Sequence, residues 1–212
     1  MRLKKFTIVA AVLGAGLSWT GMAKAQETPA PASGETEQAI FAGGCFWCVE
    51  SDFDYVDGVL ETVSGYIGGN SENPTYQDHT SSGHREAVLI TYDPSRTDYA
   101  TLLETFWRTV DPTDDGGQFC DRGFSYTTAV YALDEAQAAI AEQSKASAQE
   151  ALGQEIVTPI ETGHRFWPAE EYHQDYYLKN PARYRFYRSA CRRDAQIERL
   201  WGEQAAQGVA AH

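Results

Sequence analysis

The most constraining feature of this chain is the order of residues from 38 to 55. A short apolar run, Gln38 to Ala42, meets two glycines, Gly43-Gly44. Then comes Cys45-Phe46-Trp47-Cys48-Val49-Glu50, the start of a run to Tyr55 that holds neither Gly nor Pro. That order predicts a buried strand, a tight turn and a helix from Cys45 to about Tyr55, with Cys45 in its first turn. Free N–H groups and the positive end of the helix dipole favour an anion there. A thiol so placed ionises more easily and attacks better at neutral pH.

The chain has 212 residues, enough for one domain plus extras. Residues 1–25 read as a secretory signal peptide. Arg2, Lys4 and Lys5 precede an uncharged run from Phe6 to Trp19, and Ala23-Lys24-Ala25 is an A-x-A cleavage site. The apolar run is short for a bilayer span, and no later run is longer. Export to a bacterial periplasm is expected, with no membrane attachment after cleavage. Residues 26–37 are rich in Pro, Ala, Glu and Thr and read as a flexible linker. The folded domain is expected over 38–201, and the Ala/Gln/Gly tail 202–212 as disordered. The formal charge is −13, and loss of the leader removes four more positive residues. This excludes nucleic acid and anionic membranes as natural partners. Four cysteines in an exported chain suggest two staples. A domain of this size does not need them, and a Cys45–Cys48 bond closes almost no loop. Functional thiols are the better reading.

Further along, Val59–Gly65, Glu86–Tyr92, Thr127–Leu133 and Ile156–Ile160 read as strands, the last near a sheet edge because of Pro159. Leu102, Leu103, Phe106, Trp107 and Val110 form the apolar stripe of a helix over 99–110. Asp134 to Leu152 is a second helix, capped by Gly153. Helices are also expected over 170–178 and 184–201. Residues 71–83 and 111–125 are long polar loops of the kind that carry function. No repeats occur. The class is α+β: a two-layer sandwich of a mostly antiparallel mixed sheet with helices packed over it.

Cys45 is the candidate nucleophile, and Cys48 at i+3 puts a second sulfur on the same helix face. The spacing suits a redox dithiol, or half of a zinc site. Cys120 and Cys191 lack the paired spacing that the other half needs, so no metal is expected. Each residue also has a plainer reading. Cys45 could be inert and buried, Phe46 and Trp47 core, Glu50 a solvated helix acid, and the histidines hydrogen-bonded structure.

Gly44-Cys45-Phe46-Trp47, followed by Val49-Glu50, resembles the active-site signature of the A-type peptide methionine sulfoxide reductases, although Cys48 stands where the family pattern has Gly. The resemblance extends over most of 38–201. It runs through Gly65-Tyr66, Gly68-Gly69, Asn73-Pro74-Thr75-Tyr76 and Gly83-His84-Arg85-Glu86-Ala87-Val88. It continues through Asp111-Pro112-Thr113, Asp121-Arg122-Gly123, Tyr126 and Glu171-Tyr172-His173-Gln174-Asp175-Tyr176. Ser125 and Thr127-Thr128 depart from the family's usual neighbours of Tyr126. The resemblance implies a ferredoxin-like core and reduction of methionine-S-sulfoxide, free or in oxidised proteins. Cys45 matches the catalytic cysteine, and Phe46 and Trp47 the methyl-binding aromatics. Glu86 matches the acid at the sulfoxide oxygen, with Tyr76 and Tyr126 as hydroxyl partners. Asp121 matches a site aspartate.

The chemistry fits. Thiolate attack at a sulfoxide sulfur pushes charge onto oxygen, which needs a donor, and Glu86 can donate if burial keeps it protonated. Cys45 then becomes a sulfenic acid that a second thiol converts to a disulfide. Cys48 and Cys191 rank close together for that task, with Cys120 third. No bound cofactor is expected. A thioredoxin-like or other dithiol reductant would regenerate a monomeric enzyme. Two competing readings are a thiol–disulfide oxidoreductase built on Cys45–Cys48, with thioredoxin-like βαβ order, and a cysteine-rich metal-binding or stress-binding protein.

Overall fold

A computed structural model describes residues 34–210. The expected signal peptide and most of the expected linker lie outside the described residues. Strand β1 (Glu37–Gly43) runs into helix α1 (Phe46–Phe53). Strands β2 (Val59–Ile67) and β3 (Arg85–Tyr92) follow, then α2 (Tyr99–Thr109). A two-residue hairpin of β4 (Gly117–Gln118) and β5 (Asp121–Arg122) interrupts the long loop before β6 (Thr128–Ala132). Next come α3 (Glu135–Leu152), β7 (Ile160–Thr162) and β8 (Trp167–Pro168). The last helices are α4 (Tyr176–Lys179), α5 (Pro181–Ala190) and α6 (Arg193–Trp201).

The main sheet has the order β7-β6-β1-β3-β2-β8. Every neighbouring pair is antiparallel except β6–β7. The path β1-α1-β2-β3-α2-β6, with β1 and β3 central, is the β-α-β-β-α-β arrangement of a ferredoxin-like core. The α+β sandwich is therefore present. Alternation along β3 sends Glu86, Val88, Ile90 and Tyr92 to one face. Val88, Ile90 and Tyr92 join Phe41, Phe46, Phe53, Leu102, Leu103, Phe106 and Trp107 in the main core. Glu86 is the carboxyl on that apolar face. It sits beside the head of α1 because β3 and β1 are neighbours.

Four local expectations need correction. The strand expected over 156–160 lies at 160–162, although it does form the sheet edge. Thr158 is held in a loop, its hydroxyl paired to Thr128 at 2.7 Å. Residues 170–175 turn rather than coil, because left-handed Asp175 opens α4. The single helix expected over 184–201 is two helices, broken at Cys191 and left-handed Arg192. Cys191 is disulfide-bonded to Cys120 there, and Arg193 turns inward to donate to the Gly43 and Thr109 carbonyls. The tail is not disordered through residue 210. Ala206 N–H donates to Arg108 O, Ala210 N–H donates to Tyr55 O, and Val209 packs on the core.

Candidate active site

The two glycines put the nucleophile in place. Gly44 has φ +84°, and a Cβ there would meet Gln118 Cβ at 2.6 Å. The chain can thus turn sharply from β1 into α1, with Gln118 lying against it. Cys45 is the N-cap of α1 rather than part of its first turn. The leading amide of the helix, Phe46 N–H, donates to Glu86 Oε2 at 3.0 Å. The helix head therefore binds a carboxyl beside the sulfur.

Cys45 and Cys48 are both buried, reduced and hydrogen-bonded to each other. Here the sequence expectation needs adjusting. Burial pushes the Cys45 thiol up, and the neighbouring Cys48 and Glu86 push it further. Cys48 is lowered, by the hydrogen bond from Cys45 and then by the positive charges of Arg193 and Arg188. Of the two thiols, Cys48 is therefore the one that ionises more easily.

Glu86 is fully inside the protein. Burial raises its pKa to about 8, with Asp121 adding to the rise, while hydrogen bonds from Phe46 and Tyr126 oppose it. The side chain is thus mostly protonated at pH 7. Tyr126 and Tyr76 are hydrogen-bonded to each other, and burial raises both phenols, so both hydroxyls keep their protons as donors. Tyr76 lies at the mouth, 39% exposed. Its N–H donates to Glu170 Oε1 at 3.0 Å, and Glu170 Oε2 accepts from Tyr66 at 2.9 Å. The aromatic pocket is built around Phe46 and Trp47, whose ring centroids are 6.4 Å apart. Trp47 stacks flat on Tyr176 at 3.6 Å, and its Nε1–H donates to His173 Nδ1 at 3.1 Å. The structure thus brings together Cys45, Phe46, Trp47, Glu86, Tyr76, Tyr126 and Asp121. Asp121 is half-buried and accepts from the Tyr187 hydroxyl.

Of the recycling candidates, Cys48 touches Cys45, whereas Cys120 and Cys191 are bonded to each other. Cys120, Cys191 and Asp121 have ligand-type atoms within 4.8 Å of one another, but both sulfurs are committed to the disulfide. Glu50 does not reach across the site. It is buried and turns toward the Asp175 and Tyr176 amides. His84 braces a neighbouring loop, accepting from Gly69 N–H at 3.1 Å and pairing with Ser71.

Sequence reasoning missed several members. His79 lies 3.7 Å from Glu86 Oε1, stacks on Tyr66 and Tyr76, and bonds the Tyr76 carbonyl at 2.9 Å. Burial lowers His79 and His173, so both rings are neutral at pH 7. Tyr187 is hydrogen-bonded to Cys45 and sits edge-on to Trp47 at 5.9 Å. Of these, His173 stood in the Glu171–Tyr176 motif without an assigned role, and His79 carried no motif of its own. Tyr187 lies in a Tyr-Arg-Phe-Tyr run with no signal of its own.

A buried dithiol at a helix head, facing a protonated carboxyl inside an aromatic pocket, defines a cysteine-dependent oxidoreductase. The family model described as peptide methionine sulfoxide reductase matches residues 37–205, and the chain belongs to that family, as an A-type member. It is an enzyme that reduces methionine sulfoxide through a cysteine. It is 58% identical to peptide methionine sulfoxide reductase MsrA 2 of Rhizobium meliloti (strain 1021) over 175 residues, covering 82% of this chain and 88% of the relative. With MsrA 2 of Caulobacter vibrioides the identity is 53%, covering 82% and 90%. Among solved structures, methionine sulfoxide reductase A of Corynebacterium diphtheriae aligns with TM-score 0.60 at 29% identity, covering 73% of this chain and 79% of that one. Reduced Mxr1 of Saccharomyces cerevisiae aligns with TM-score 0.64 at 25% identity, covering 71% and 88%.

Proposed function

We propose that Cys45 attacks the sulfur of methionine-S-sulfoxide, free or in oxidised proteins, while Glu86 gives its proton to the sulfoxide oxygen. Tyr76 and Tyr126 donate to the same oxygen as it gains charge. Phe46 and Trp47 hold the methyl group by apolar contact. Oxygen passes from the substrate sulfur to Cys45, leaving methionine and a Cys45 sulfenic acid. Cys48, whose sulfur touches that of Cys45, then condenses with the sulfenic acid, forming a disulfide and releasing water. An external thioredoxin-type or other dithiol restores both thiols, and no bound cofactor takes part. The observation that carries this reading is the Phe46–Glu86 bond of 3.0 Å, which pins a raised-pKa acid beside the nucleophile.

The test is incubation with each epimer of methionine sulfoxide and dithiothreitol. Reduction of the S epimer alone, lost in Cys45→Ser, is the expected result. Reduction of the R epimer, or activity retained without Cys45, overturns it.

The enzyme is exported to a periplasm as a monomer whose mature chain begins at Gln26. The charged, apolar and A-x-A order of residues 1–25 supports export. Among the described residues no helix is long and apolar enough to cross a membrane. Amino-terminal sequencing and sizing of the periplasmic protein test this, and a start at Met1 overturns it.

A further inference from the structure

Tyr187 is a polar group at the reacting sulfur to which the scheme above gives no task. It stands half-buried on α5. Its hydroxyl donates to Asp121 Oδ2, and its oxygen also lies within hydrogen-bonding reach of the Cys45 sulfur. One phenol thus joins the nucleophile to a carboxyl. We propose that Tyr187 is a catalytic residue that passes the Cys45 thiol proton to Asp121. The proposal rests on Cys45 being the nucleophile.

The protons balance without any further reactant. The Cys45 S–H bond breaks as a new Tyr187 O–H bond forms, and the original Tyr187 O–H breaks as Asp121 gains a proton on Oδ2. Negative charge moves from Asp121 to Cys45. Tyr187 ends as a neutral phenol whose new O–H points at the thiolate, which is where a donor stabilises it. Burial strongly disfavours a free tyrosinate at this position, so the two transfers are concerted. Burial also raises the Asp121 carboxyl, which makes it a better proton acceptor than an exposed aspartate.

The backbone holds both ends of the relay. Cys120 precedes Asp121, Cys191 N–H donates to the Tyr187 carbonyl, and the two cysteines are bonded to each other. The staple therefore fixes the distance between phenol and carboxyl. Other charged or titratable groups face these atoms. They are Cys48 from α1, Glu86 from β3, Tyr76 from the loop before β3, Tyr126 from the loop before β6, and Arg193 from α6. Cys48 is the rival acceptor, since it also takes a hydrogen bond from Cys45.

The two routes separate in single turnovers of the full mature protein. Methionine release is followed without reductant, from about pH 5 to about pH 9, with methionine-S-sulfoxide as the probe. In the wild type the acid-side limb reports Asp121. In Tyr187→Phe and in Asp121→Asn the thiol must ionise unaided. The limb then moves up by at least about one pH unit, and release near pH 6 falls at least about tenfold. The double variant is no slower than the slower single variant, because the two groups act as one unit. An unmoved limb in Tyr187→Phe overturns the proposal. So do additive losses, or a limb that moves in Cys48→Ala but not in Tyr187→Phe. Circular dichroism and thermal midpoint establish folding; if Tyr187→Phe does not fold, Asp121→Asn carries the same test. Activity that survives Cys45→Ser would instead overturn the assignment of the nucleophile.

Discussion

The Phe46 backbone N–H donates to Glu86 Oε2 across 3.0 Å, so the acid and the nucleophile's helix are locked together. The bond has a cost. It favours the ionised carboxylate, yet burial still holds the Glu86 pKa up at about 8. Catalysis needs the protonated form. Turnover of methionine sulfoxide is therefore expected to hold from pH 6 to 7 and to fall through about pH 8, approaching tenfold per unit above it. Glu86→Gln keeps the fold and a donor amide but has no proton to give. Its kcat is expected to drop by about 100-fold or more, and the alkaline limb to disappear. A limb that persists in Glu86→Gln would assign it to another group.

Cys48→Ser tests the recycling step. The hydroxyl cannot form a disulfide, and Cys120–Cys191 is already closed. One equivalent of methionine is expected without reductant, with Cys45 left as a sulfenic acid that dimedone traps. Steady turnover with a protein dithiol is expected to fall at least about tenfold, because the reductant must then meet a buried sulfenic acid. Mapping a Cys45–Cys191 or Cys45–Cys120 disulfide in the wild type after one turnover would place recycling elsewhere.

How much of this was legible in the sequence follows from physical range. The helical stripe of Leu102, Leu103, Phe106 and Trp107 is a local period, and all four are buried as it predicts. The Gly43-Gly44 turn is local too. The helix dipole argument for Cys45 was local, and it was outweighed by burial, which depends on what packs above the sulfur. Tyr187 reaches Asp121 across 66 residues, and Trp47 meets His173 across 126. No spacing rule spans such distances. The tail misled for the same reason. Its composition is that of a frayed end, but its backbone has partners at Tyr55 and Arg108.

That tail supports a stability prediction. Val209 packs on the core and bridges Val56, Ala210 N–H reaches the Tyr55 carbonyl, and Gly208 lies so close that a Cβ would meet Thr105 Oγ1 at 2.2 Å. Ending the chain after Glu203 removes this partly buried valine and these hydrogen bonds. A loss of about 2–3 kcal/mol in urea unfolding is expected, with single-turnover chemistry retained. A truncated chain as stable as the full one would show the packing to be idle.

The disulfide closes a loop of sequence separation 71. Chain entropy alone makes such a link worth about 4 kcal/mol, and measured values commonly fall between about 2 and 4. Replacing Cys120 and Cys191 with alanine together is expected to lower unfolding stability within that range. It should also lower single-turnover rates near pH 6, because Asp121 and Tyr187 lose their common tether. A stability loss with an unchanged rate would make the bond a staple alone.

Glu50 predicts how stability depends on pH. Burial raises this carboxyl from its ordinary 4.5 to about 8, with Asp54 and Asp175 adding to the rise and the Asp175 and Tyr176 amides opposing it. In the unfolded chain it titrates near 4.5, so between about 4.5 and 8 the native state keeps a proton that the unfolded state has lost. The unfolded state binds fewer protons, and stability falls as pH rises through that window, by up to about 1.4 kcal/mol per unit for one such group. Glu86 behaves in the same way, so the wild type is expected to lose stability steadily toward pH 8. Glu50→Gln removes one of the two protons without changing the pH at which catalysis fails. Urea midpoints at pH 5.5, 6.5 and 7.5 are expected to show a shallower slope for Glu50→Gln than for the wild type. Equal slopes would mean that Glu50 is ionised in the native protein, held by the Asp175 and Tyr176 amides at the head of α4.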